Sequence, residues 1–137
     1  MDASPGMIAT ARRLLRQAGL DTRMVQVSEG DPLKGLDFPD QHFDLVLATH
    51  VLHGLQTAER RRFYSEARRV SQGLVLFHDY SPREYQGPWL FTRTLEALER
   101  SDYRRFRRRG KRELQSVFAE VEVLVTPSGS AWYLCRT

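Results

Sequence analysis

The strongest constraint in this chain is a pair of short, almost wholly apolar runs separated by one helical stretch. Phe43 to Ala48 (FDLVLA) and Leu74 to His78 (LVLFH) each read as a strand buried on both faces. Between them, Thr57 to Val70 has helical spacing. Its inward side would be Phe63, Ala67 and Val70, and its outer side the basic residues Arg60, Arg61, Arg62, Arg68 and Arg69. Gly73 would end the connection into the second strand. Doubly buried strands alternating with helices specify an α/β fold with a mostly parallel sheet.

The rest of the chain extends this alternation over a single 137-residue domain. Ser4-Pro5 is a hydroxyl N-cap followed by proline at the first helical position. Met7, Ile8, Ala11, Leu14, Leu15 and Ala18 then recur at helical spacing, and Gly19 closes the helix. Arg23 to Ser28 alternates with period two, as a strand does, until Gly30-Asp31-Pro32 breaks it. Gly87-Pro88 opens another helix with Leu90, Phe91, Leu95 and Leu98 inward, and Lys111 to Phe118 forms a shorter one after Gly110. Val121 to Val125 and Ala131 to Cys135 are joined through Pro127-Ser128-Gly129-Ser130, a connection short enough for an antiparallel hairpin.

Several classes are excluded. No apolar run reaches the roughly 18 residues a spanning helix needs, so no membrane role is expected. The N-terminus lacks a signal pattern, which makes the cytoplasm the default compartment. Cys135 is the single cysteine, so neither an internal disulfide nor a multi-cysteine zinc site can form, and the thiol reads as a small buried apolar group. The formal charge of +4 is unevenly spread: Arg100 to Arg112 carries +7 and the remainder −3. Such a run is ordinarily a solvated face. An acidic substrate, a partner or an RNA backbone is the alternative, with Tyr103 and Phe106 either stacking on bases or anchoring the segment to the core.

In parallel sheets ligands bind beyond the carboxyl ends of the strands. That rule places a site at Asp2, Gly30-Asp31, Thr49 to His53 and Asp79-Tyr80. His50 and His53 follow one strand and His78 ends the next, and imidazole is a side chain suited to act as a base. No metal site is expected, because His50 and His53 are poorly spaced for one helix face and have no evident further ligand.

DASPGMIATARR followed by SEGDPLKGLDFPDQHFDLVLATHVLHGL resembles the class I S-adenosylmethionine-dependent methyltransferases. The resemblance runs through Asp2, Ser4, Pro5, Met7, Ala11 and Arg12, then Gly30-Asp31 and Phe43-Asp44-Leu45-Val46, and ends with the hairpin GSAWYLCR. It implies a Rossmann-like doubly wound sheet with an antiparallel C-terminal hairpin, and S-adenosylmethionine as cofactor. By that resemblance Asp2, with Ala3 and Met7 beside it, would accept hydrogen bonds from the ribose hydroxyls, as an acceptor-only carboxylate can. Gly30, Asp31, Pro32 and Leu33 would surround the adenine, and Thr49 and His50 would lie where cofactor and substrate pockets meet. His50, His53 and Tyr80 are the catalytic candidates for transfer to a small-molecule substrate. Trp89 would wall a substrate pocket, and Trp132 would pack in the hairpin.

The family's first strand and glycine-rich loop would precede residue 1, so the resemblance implies a domain truncated at its N-terminus. The strand at Phe43 to Ala48 would then have an open apolar edge, and such an edge recruits a further strand or a second copy of the chain. Methyl transfer is thus one expectation, with a truncated, inactive form of the same enzyme beside it, and a homo-oligomer through that edge goes with it. A non-catalytic interaction module, or RNA binding through the basic run, is the alternative.

Overall fold

In a computed structural model, residues 1–20, 24–82 and 102–137 are described. They form α1 (Pro5–Gln17), β1 (Phe43–Thr49), a 3-10 turn (Leu52–Gly54), α2 (Thr57–Val70), β2 (Ser71–Tyr80), α3 (Tyr103–Gln115), β3 (Glu120–Val125) and β4 (Ser130–Arg136). The chain divides into two compact units, Met1–Asp37 and Phe38–Thr137. The helix expected after Gly87, Trp89 within it, and Arg23 and Arg100 lie outside the described residues.

The first unit is α1 followed by an extended segment. Ser4 caps the helix, its hydroxyl accepting from Met7 N at 3.5 Å, and Gly19 beyond the C-cap adopts φ +64°, a conformation glycine takes without a Cβ penalty. Of the apolar stripe on α1, only Ile8 is buried; Met7 and Leu14 are more than half exposed. A unit of this size has too little chain to enclose a core by itself. The strand expected at Arg23 to Ser28 is not an element among the described residues. What remains of it is one parallel bridge, Asp2 to Glu29. A strand needs a ladder, and here the pairing segment is one residue long.

The second unit is a four-stranded sheet in the order β1-β2-β4-β3. β1 and β2 run parallel, joined through α2, and β4 pairs antiparallel with both β2 and β3. The sheet is therefore mixed: the parallel part is the β1–α2–β2 crossover, and the antiparallel part centres on the expected hairpin, which turns through Gly129 at φ +85°.

One face of this sheet is the core. Val75, Phe77, Ala131, Tyr133 and Cys135 are inaccessible to solvent, with Phe63 and Tyr64 of α2, Phe106 of α3, and Phe118 beyond α3 packed on Phe77 and Tyr133. On the other face Leu45 is 46% and Leu47 54% exposed, so β1 is an outer strand half-buried on one side, at Val46 and Ala48, and not, as its composition suggested, buried on both. Cys135 is buried as expected, and desolvation pushes its thiol up to about 12.

Two helices depart from expectation for one physical reason each. Arg60, assigned from its charge to the outer side of α2, has no exposed surface. Its guanidinium is paired with Glu113 of α3 at 2.7 Å and with Asp102 at 3.0 Å, which satisfies a buried charge. Burial alone would lower the Arg60 pKa, but the hydrogen bond and charge of Glu113 outweigh it and hold the group above its ordinary value. The helix expected to start after Gly110 instead spans Tyr103–Gln115, with Gly110 inside it. A Cβ at Gly110 would come within 2.5 Å of the Phe106 ring, so this glycine admits an aromatic side chain rather than breaking the helix.

Candidate active site

The carboxyl ends of β1 and β2 carry a dense group of histidine, tyrosine and aspartate side chains. Asp79 lies on the buried face of β2 with no exposed surface. Its Oδ2 accepts from the backbone N–H of Leu52 at 2.8 Å and, more loosely, of His53 at 3.4 Å. Its Oδ1 accepts from Tyr80 N at 2.7 Å and lies 2.9 Å from His53 Nδ1. Asp79 therefore fixes both the turn that carries His53 and the imidazole itself.

An ionised carboxylate can only accept, so Nδ1 carries the proton in this pair and the lone pair is on Nε2. This leaves one ring nitrogen of His53 for chemistry, on a side chain that is 24% exposed. A buried carboxylate orienting a histidine through Nδ1 is the arrangement of a general base.

The turn is held from the other side as well. Arg60 donates to the carbonyls of Leu55 and Leu52, and Asp102 N donates to His53 O at 3.0 Å. The Arg60–Glu113–Asp102 cluster thus clamps the same short helical turn whose N–H groups Asp79 accepts from. Around it, the Tyr80 ring lies 4.8 Å from His53 and 4.6 Å from Tyr103, and the Tyr133 hydroxyl donates to Tyr80 O at 2.7 Å.

His50 adopts φ +52°, a left-handed conformation rare for a residue with a side chain, while its N–H donates to His78 O at 2.8 Å. Its ring lies 5.0 Å from His78 and 6.4 Å from His53. His78 is turned to Ser130 and Trp132, so Trp132 packs across β2 and β4. Of the three catalytic candidates, His50, His53 and Tyr80 all fall in this cluster. Asp79, which orients His53, was legible only as part of the strand-end address.

Ligand atoms of His50, His53 and Asp79 lie within 4.8 Å of one another, the one such grouping among the described residues. The H-x-x-H pair thus has a third neighbour that the sequence did not reveal. Both Asp79 oxygens already accept two N–H groups each, so the geometry is that of a carboxylate orienting a histidine. A separate recess of about 420 Å³, lined in part by Gln41, Arg68 and Ser71, lies at the opposite, amino-terminal ends of β1 and β2.

The cofactor candidates divide between the units. In the first, Asp2 and Gly30 are brought side by side by Gly30 N donating to Asp2 O at 3.1 Å, with Asp31, Pro32 and Leu33 following half-buried. Asp2 Oδ1 accepts from Ser4 N at 2.8 Å, and Asp31 Oδ1 from Leu33 N at 3.0 Å. Ala3 and Met7 are exposed at the start of α1. In the second unit, Thr49 ends β1 and His50 follows it, both exposed.

A family model described as a methyltransferase domain matches residues 1–77. Solved structures with the same fold include a SAM-dependent methyltransferase from Aquifex aeolicus, at 16% identity and TM-score 0.66, matched over 98% of this chain and 65% of that one. A putative O-methyltransferase from Nostoc punctiforme aligns at 16% identity and TM-score 0.76, over 99% of this chain and 43% of that one. The S-adenosylmethionine-dependent methyltransferase SibL, in its apo form, aligns at 19% identity and TM-score 0.72, over 99% and 42%. At these identities the likeness is one of fold, and the chain spans between two fifths and two thirds of those proteins. No curated protein sequence matches.

The chain therefore belongs to the class I S-adenosylmethionine-dependent methyltransferases, and its sheet is the Rossmann-like sheet of that family. S-adenosylmethionine is the cofactor that the family implies. No helix among the described residues is long and apolar enough to cross a membrane.

Proposed function

We propose that this chain carries the proton-removing half of a methyltransferase site, acting in the cytoplasm on a small molecule that loses a proton as it is methylated. The single observation that carries this reading is the buried Asp79 carboxylate 2.9 Å from His53 Nδ1. A transfer to an acceptor without an ionisable proton needs no base, and positioning alone would suffice. An oriented histidine is the device an O–H acceptor requires. His53 Nε2 takes the acceptor proton, Asp79 stabilises the imidazolium that forms, and Tyr80 with His50 holds the acceptor in line.

When bound, S-adenosylmethionine supplies the electrophilic methyl group. The residues present fit it: the carboxylates of Asp2 and Asp31 are acceptors matched to ribose hydroxyls and an adenine amino group. In the first unit Ala3, Met7, Gly30, Pro32 and Leu33 are further cofactor candidates, and in the second Thr49 and His50 are the candidates.

The test is methyl transfer from radiolabelled S-adenosylmethionine to a panel of phenols and alcohols, with tertiary amines and thioethers as acceptors that carry no proton, using wild type and His53→Ala. Label transfer by wild type that falls at least about 100-fold in His53→Ala supports the reading. Equal transfer by both proteins overturns it, and so does transfer confined to acceptors that carry no proton.

The same reading includes self-association. β1 is one of the two outer strands of the sheet, with Leu45 and Leu47 about half exposed, and such an edge is a template for a second copy. Sedimentation velocity that shows a monomer at every concentration would count against this part.

A further inference from the structure

The outer surface of α2 and α3 supports a second binding role. On α3, Arg105, Arg108, Arg109 and Arg112 are exposed at spacings of i, i+3, i+4 and i+7, which places them on one side of the helix. Lys111 is exposed beside them. α2 meets α3 through the Arg60–Glu113 pair, its Arg68 donates to Val117 O just beyond α3 at 2.9 Å, and it carries the exposed Arg61 and Arg62.

The acids of these two helices are already engaged. Glu113 holds Arg60, Glu66 holds Arg69, and Glu59 caps the start of α2. The four arginines of the α3 stripe meet no carboxylate among the described residues. A surface of unneutralised like charge is costly to leave unpartnered and raises a strong local field for anions.

The shape of the patch selects the anion. The apolar sides of both helices are spent in the core: Phe106 and Leu114 of α3 and Phe63 and Tyr64 of α2 are buried, and neither helix has an exposed large apolar side chain. With no apolar side chain to insert, a membrane would gain only headgroup attraction there, and a protein partner has no apolar anchor to bury. Tyr103 is turned to Tyr80 and His53, so no aromatic ring is offered for stacking on single-stranded bases. What remains is a row of planar guanidinium groups about 10 Å long on a rigid helix, suited to phosphates spaced along a duplex strand.

We infer that the α2–α3 face binds the phosphodiester backbone of double-stranded nucleic acid, independently of the methyl-transfer site and without base recognition. The test is fluorescence anisotropy of the full chain with a short labelled RNA duplex and with the matching DNA duplex. Salt is raised from about 50 to about 200 mM. Four phosphate contacts predict a slope of about −3.6 in log affinity against log salt, a loss of roughly 100-fold over that range. A four-fold variant, Arg105→Gln, Arg108→Gln, Arg109→Gln and Arg112→Gln, with its fold checked by circular dichroism, should lose most of the binding and most of the slope. Equal affinity for the two duplexes assigns the backbone alone as the ligand, and preference for the RNA duplex assigns A-form geometry as well; both support the inference. Absence of binding at low salt, an unchanged variant, or tighter binding to polyglutamate than to either duplex overturns it.

Discussion

His53 Nδ1 and Asp79 Oδ1, 26 residues apart in sequence, meet at 2.9 Å because β1 and β2 are parallel neighbours. The crossover through α2 returns the chain to the same end of the sheet, so the turn after β1 and the last residues of β2 must share one rim. On this account Asp79→Asn leaves the fold in place but offers an amide N–H where a carboxylate oxygen had accepted. The imidazole then loses its orientation and its tautomer. Transfer rate should fall by roughly 100-fold or more. Nitrogen NMR of the His53 ring should show the shift in tautomer, and an unchanged rate and spectrum would contradict the role.

Arg60 and Glu113 are a buried pair, and removing one partner strands the other charge. Glu113→Ala or Arg60→Ala should cost about 3–5 kcal/mol, read from the midpoint of urea unfolding. Replacing both together with apolar residues, Arg60→Met with Glu113→Leu, should cost much less. Because Arg60 also holds the carbonyls of Leu52 and Leu55, the double variant should nonetheless lose precision at His53.

Gly110 provides a test in which helix propensity and packing oppose each other. Alanine is favoured over glycine within a helix by about 1 kcal/mol. Here, however, the new Cβ would meet the Phe106 ring, which has no exposed surface and no room to withdraw. Gly110→Ala should therefore destabilise by about 1–3 kcal/mol. A rise in melting temperature would show that the glycine is there for another reason.

Burial of Cys135 makes stability depend on alkaline pH. The folded chain keeps the thiol proton up to about 12, against 9.0 for the exposed group. The unfolded state therefore binds fewer protons above that lower value, and stability, fully present below it, is lost as pH rises from about 9 toward 12. Tyr64 and Tyr133, raised by burial, steepen the loss at higher pH. Cys135→Ala should reduce the slope of unfolding free energy between pH about 9 and 10 by up to about 1.4 kcal/mol per unit. Chemical denaturation across that interval measures it.

Much of this architecture is legible in the sequence, for reasons the structure makes plain. The apolar runs at Phe43 and Leu74, the Ser4-Pro5 start of α1 and the hairpin around Gly129 are local signals, set by burial and turn chemistry within a few residues. What is not legible depends on partners distant in the chain. Arg60 reads as surface because its charge is visible in sequence, while Glu113, 53 residues away, is what permits its burial. Gly110 is a different case: Phe106 is only four residues away, but the ring fills the missing side chain only once the segment is helical, and a glycine read by itself signals a break. The histidines were found because they follow a strand, whereas the role of Asp79 emerges only from the parallel register.

The most direct test of the central claim is a calorimetric titration of adenosylhomocysteine into the full 137-residue chain. The account predicts saturable binding of one molecule per chain with micromolar affinity, weakened by Asp31→Ala and unaffected by Asp79→Asn. Absence of binding, or binding that Asp31→Ala leaves unchanged, would contradict it.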